Sequence, residues 1–145
     1  MLPAGKYYVG DLCYVMNPEW REVCDLTFSS NAISEGEFTL ADGRRFALYN
    51  TLWGDGSYRS NIDTYHCVDA GCIGVIRLED IQDPRATEEE MLRLGAIVDF
   101  AEDFDHSGGR TTDDKWDGTI RFGNVQIYTG FDDESEELDE DFETA

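Results

Sequence analysis

Two runs of alternating apolar and polar residues, Glu35 to Leu40 and Arg44 to Leu52, are joined by Asp42-Gly43. Asp-Gly supplies the positive φ angles that a tight two-residue turn demands, so this stretch is expected to form an antiparallel hairpin. Short strand-like runs punctuated by glycine recur along the chain. Tyr7 to Val9 and Leu12 to Met16 read as two strands, or one strand bulged at Gly10-Asp11. Ser57 to Arg59 and Thr64 to Val68 continue the pattern, and Cys72 to Leu78, the most apolar segment, is expected to be a central strand. Ala96 to Phe104 alternates and follows Gly95, so a strand is preferred over a prolonged helix. Asp105 to Gly118 reads as a polar loop, and Thr119 to Phe122 and Val125 to Thr129 close the pattern around a Gly123-Asn124 turn.

Two helices interrupt the strands. Asn17-Pro18-Glu19 is a start signal, with Asn as N-cap and Pro at the first helical position; Trp20, Val23, Cys24 and Thr27 then share one face. Thr87-Glu88-Glu89-Glu90 is a capping box, and Gly95 is expected as the C′ residue of the helix it opens. About eight strands with two short helices predict an α+β fold, mainly antiparallel sheet or a partly closed barrel. The expected organisation is one β-rich domain over residues 1–131 and an acidic tail over 132–145.

Charge is unevenly distributed. Residues 79–145 hold 22 Asp or Glu against 5 Lys or Arg, a net charge of −17, whereas residues 1–78 hold 10 acids and 6 bases, a net of −4. Self-repulsion of that size opposes compaction, so the acids point to a cationic partner. The same charge excludes direct binding to nucleic acid and to anionic membranes, which need Lys and Arg. No run approaches the ~20 apolar residues of a membrane span, and the N-terminus lacks signal-peptide features. A soluble, intracellular protein of the cytoplasm is therefore expected.

Chemistry-bearing patterns are sparse. Cys13, Cys24, Cys67 and Cys72 form no C-x-x-C pair and read as buried thiols rather than zinc ligands. Asp103-x-Asp105-x-Ser107-Gly108 with Asp114 imitates a calcium loop, but position 8 is Arg110 and position 12 lacks the usual Glu. Asp55, His66 and Asp69 are the residues from which an acid–base pair could be assembled, yet turn chemistry accounts for both aspartates. Tyr7, Tyr8, Tyr14, Trp20, Trp53 and Tyr58 suit a nucleotide-stacking surface less well than core and strand positions. The expectation is a non-enzymatic protein with no cofactor and no metal.

The segment Tyr7-Tyr8-Val9-Gly10-Asp11-Leu12-Cys13-Tyr14-Val15 resembles small, mostly uncharacterised proteins of phages and mobile elements, which carry an early G-D-[PL]-C-Y-V segment and then a Trp-containing helix. Gly54 to Tyr58, Val68 to Gly74 and Asp117 to Gly123 extend the similarity across residues 5–130. The resemblance implies a viral or mobile-element origin and a β-rich fold; it supplies no catalytic residue.

The function expected from charge and resemblance together is inhibition of a basic, nucleic-acid-binding host defence protein, of restriction or CRISPR type, by an acidic surface that mimics DNA. The residues expected to bind the partner are Glu88, Glu89, Glu90, Asp99, Glu102, Asp103, Asp105, Asp113, Asp114 and Asp117. Those of the tail are Asp132, Asp133, Glu134, Glu136, Glu137, Asp139, Glu140 and Asp141. In the tail, Leu138 and Phe142 would share a helix face. The alternative is a small β-rich ligand- or protein-binding module whose acidity serves only solubility.

Overall fold

The computed structural model describes residues 1–29, 32–33, 35–51, 55–108 and 118–129. The chain opens with β1 (Gly5–Gly10) and two 3-10 turns, Leu12–Tyr14 and Asn17–Glu19. Helix α1 (Trp20–Thr27) and the two-residue strands β2 (Phe28–Ser29) and β3 (Ala32–Ile33) follow. Then come β4 (Gly36–Thr39), β5 (Arg45–Asn50), β6 (Gly56–Arg59), β7 (Tyr65–Val68) and β8 (Cys72–Arg77). Helix α2 (Glu88–Leu94) leads into β9 (Ala96–Phe100), and β10 (His106–Ser107), β11 (Thr119–Phe122) and β12 (Val125–Tyr128) end the described chain.

The main sheet is antiparallel, in the order β4-β5-β8-β1-β9. It is open, so the α+β expectation holds in its sheet form rather than as a barrel. A hairpin pairs β4 with β5 in the expected place, but its connection is the three-residue loop 41–43 with positive φ at Gly43 and not at Asp42, and β8 occupies the centre. Strand alternation gives the sheet two buried faces. On one, Tyr8, Phe46, Leu48 and Ile76 pack with Leu12, Met16 and Val23 of the first helical segment and Met91 of α2. On the other, Tyr7, Val9, Ala47, Ile73 and Val75 pack against Ile120, Phe122, Val125 and Ile127 of the small β10-β11-β12 sheet. The molecule is thus layered, with helices on one side and a second β layer on the other. Gly74 lets the central strands close up: a Cβ there would overlap the Ala47 carbonyl oxygen.

Several expectations need correction. Leu12–Tyr14 is a 3-10 turn rather than a strand, because Asp11 caps it by accepting the Cys13 N–H at 3.0 Å. Asn17 caps nothing with its side chain; Met16 holds the cap position and a 3-10 turn precedes α1. Thr87 does cap α2, accepting from Glu90 N, but Gly95 has extended φ (−166°), not left-handed backbone. Glycine is needed there because a Cβ would lie 2.5 Å from the Val9 carbonyl oxygen. The polar loop contains β10, paired with β11 through His106↔Phe122. Cys72 is buried, Cys13 and Cys67 are half-buried, and Cys24 is exposed, so the buried-thiol reading fails for Cys24. Among the described residues, no helix is long and apolar enough to cross a membrane.

Candidate functional site

The carboxylates nominated from the sequence do not share one environment. Glu88 and Glu89 are exposed in the first turn of α2, where the positive end of the helix favours them. Glu90 is half-buried and binds Arg93 at 2.6 Å. Asp99, Glu102, Asp103 and Asp105 cluster at the C-terminal end of β9 and just beyond it, and all four are exposed. Among the described residues none of these four forms an ion pair. Lys6 stands across the ladder from Asp99, and Asp103 Oδ1 accepts the Ala4 N–H at 2.9 Å. Val98, Asp99, Glu102, Asp103, Gly123 and Asn124 line a shallow cleft of about 420 Å³. Asp113, Asp114, Asp117 and the tail residues Asp132, Asp133, Glu134, Glu136, Glu137, Asp139, Glu140 and Asp141 lie outside the described residues, as do Leu138, Phe142 and Trp53.

This cluster owes its position to packing. Phe100 and Phe104 stack at 3.9 Å and both meet the Tyr7 ring edge-on. Leu2 and Phe104 exchange main-chain hydrogen bonds at 2.9 Å. Burying the two phenylalanines holds the chain between them against the sheet and turns Ala101, Glu102 and Asp103 to solvent. The same anchoring makes 103–108 unlike the start of a calcium loop: Asp103 serves Ala4, Phe104 is core, and His106-Ser107 is strand. No group of three metal-binding side chains occurs among the described residues.

Three acids nearer the N-terminus are paired with arginines. Glu19 and Asp42 both pair with Arg44, the latter at 2.9 Å, and Glu37 pairs with Arg45. Burial raises the Glu37 pKa, but hydrogen bonds from Arg45 and His106 outweigh it and hold the carboxyl below the ordinary range.

Two histidine networks escaped the sequence reading. Tyr49 Oη lies 2.6 Å from His106 Nδ1, and His106 Nε2 lies 3.3 Å from Glu37 Oε1. A neutral imidazole fits both contacts: Nε2–H donates to the carboxylate and Nδ1 accepts the phenol proton. A carboxylate-oriented histidine beside a hydroxyl has the geometry of an acid–base relay. Burial, reinforced by Glu35 and Glu37, pushes Tyr49 up to about 12, so its phenol stays protonated at neutral pH, and Tyr49 does not line the cleft beside Asp99. The network joins the main sheet to the second β layer. Alternation placed Glu37 and Tyr49 on one face; nothing local marked His106.

His66 is fully buried and makes no pair with Asp69 or Asp55. Its Nδ1 donates to the Val9 carbonyl at 3.0 Å, and its Nε2 lies 3.0 Å from Ser60 Oγ. Asp69 instead gives its main-chain N–H to Asp11 Oδ2 at 2.6 Å, as does Ala70. Burial pushes the Cys72 thiol up to about 12 and raises Cys13 as well, which keeps both in the unreactive thiol form. Tyr7, Tyr8 and Tyr58 are core rings. Comparison of the chain with protein-family models, with curated proteins and with solved structures found no match.

Proposed function

We propose that this chain is a non-enzymatic protein of a phage or mobile element that inhibits a nucleic-acid-binding host defence protein, of restriction or CRISPR type, by presenting carboxylates where nucleic acid presents phosphates. The observation that carries this reading is a cluster of four exposed carboxylates without an ion pair among the described residues. Glu19, Glu37 and Asp42 are consumed by arginines, whereas Asp99, Glu102, Asp103 and Asp105 stand exposed at one sheet edge with no ion pair among the described residues. Carboxylates so placed do not bond the layers together; what they do is set up a negative field that steers a basic partner. The partner is a basic protein groove, since a chain of net charge −21 repels nucleic acid itself.

The test is capture of host proteins on the tagged chain at low salt, followed by elution with duplex DNA and, separately, with 1 M salt. The Debye length falls from about 10 Å at 0.1 M to about 3 Å at 1 M, so an electrostatic complex should dissociate. DNA should compete for the same groove. A captured partner that resists both would refute mimicry and favour a binding module whose acidity serves solubility.

A further inference from the structure

Among the described residues the main sheet ends on β9, which is paired with β1 on one side only. Every second residue of an edge strand turns its N–H and C=O outward. Among the described residues, no main-chain or side-chain group bonds to that outer edge over Ala96–Phe100. Edges of this kind are usually blunted by proline, bulges or charge. Here Ala96-Ile97-Val98-Asp99-Phe100 contains no proline and pairs with β1 in unbroken register. Among the described residues its protection is negative charge: Asp99 in the strand, and Glu102, Asp103 and Asp105 just past it. Such an edge repels acidic strands and admits basic ones.

We infer that the outer edge of β9 is a strand-addition site for an extended, lysine- or arginine-bearing segment of a partner protein. The partner's main chain would extend the sheet, and its basic side chains would meet Asp99 and Glu102. Ile97 and Val98, each half-buried, offer apolar contact between the polar positions. Five residues at about 3.4 Å each give a docking length of ~17 Å, enough for a short peptide. Charge rules out the other occupants: a second copy would bring two chains of −21 together, and the acidic segment 132–145 would set carboxylates against carboxylates. The opposite edge, β4, differs because its Glu37 is already held by Arg45 and His106. This inference rests on the proposed acidic docking function and adds the mode of recognition to it.

The test uses the full chain and two labelled synthetic peptides. One alternates lysine and valine; the other has the same side chains with backbone amides replaced by esters, which keeps the charge and removes the N–H donors. Fluorescence anisotropy at low salt should show the amide peptide binding at least about tenfold more tightly, and only the amide peptide should slow hydrogen exchange across 96–100. The double variant Asp99→Asn, Glu102→Gln alters two exposed side chains outside the core and should weaken the amide peptide about tenfold. Equal affinity for amide and ester peptides, with salt releasing both, would overturn strand addition and leave the acidic-surface reading intact. Amide binding and slowed exchange that persist unchanged in 1 M salt and in the double variant would uphold edge pairing and overturn the acidic reading. No binding of the amide peptide would overturn the inference.

Discussion

A carboxylate removed from water destabilises a fold unless hydrogen bonds fill its lone pairs, and Asp11 fills them with main-chain N–H groups. Cys13 is the local one, at 3.0 Å; Asp69 and Ala70 are distant in sequence and lie at 2.6 Å. Asp11 therefore ties the turn after β1 to the turn before β8. Asp11→Ala is expected to destabilise the fold by about 2–4 kcal/mol, since hydrogen bonds to a charged group are each worth about 1.5–3 and their donors would be left unpaired. Asp11→Asn, which keeps one acceptor oxygen, should cost less. Urea midpoints would check both; an Asp11→Ala change below about 1 kcal/mol would mean that water satisfies those donors.

The β6–β7 hairpin lies outside the main sheet; His66 ties it to the main sheet, and Ser60 and Asn61 tie it to the β11–β12 hairpin. His66 reaches the Val9 carbonyl, Ser60 bridges to Ile127, and Asn61 bonds Gln126 and Asn124. Burial pushes His66 down from 6.5 to about 4, the Val9 carbonyl opposing only in part. The unfolded chain therefore takes up this proton first as pH falls. The contribution of His66 to stability is complete above about pH 6.5, declines between 6.5 and 4, and is constant below. Over that window the wild type should lose up to about 3 kcal/mol relative to His66→Gln, which cannot titrate. Parallel stability curves for the two proteins between pH 7 and 4 would contradict a buried neutral imidazole.

Among the described residues, none later than Ile127 contributes to the two packed faces of the main sheet. The nine carboxylates of the tail (Asp132, Asp133, Glu134, Glu136, Glu137, Asp139, Glu140, Asp141 and Glu143) add repulsion to an already acidic body. Truncation after Phe131 is expected to leave a cooperative fold with an equal or higher Tm at low salt, the difference shrinking as salt screens the charges. Calorimetry of both proteins at two salt concentrations would check this. An unfolded truncation would place part of 132–145 in the core and refute the 1–131 domain boundary.

Hairpins were legible because their cause is local. A period-2 pattern and an Asp-Gly or Gly-Asn turn specify β4–β5 and β11–β12 within a few residues, and the cap at Thr87 does the same for α2. The regional charge was legible too, being a matter of counting. The strand order β4-β5-β8-β1-β9 was not, because each neighbouring pair beyond the hairpins is settled by burial between distant segments. Nor were the bonds from Val9 to His66 and from Tyr49 to His106, each spanning 57 positions. Composition makes the chain acidic. Which acids are neutralised and which stand open on the edge of β9 depends on where folding brings the few arginines, and that is a property of the packed layers.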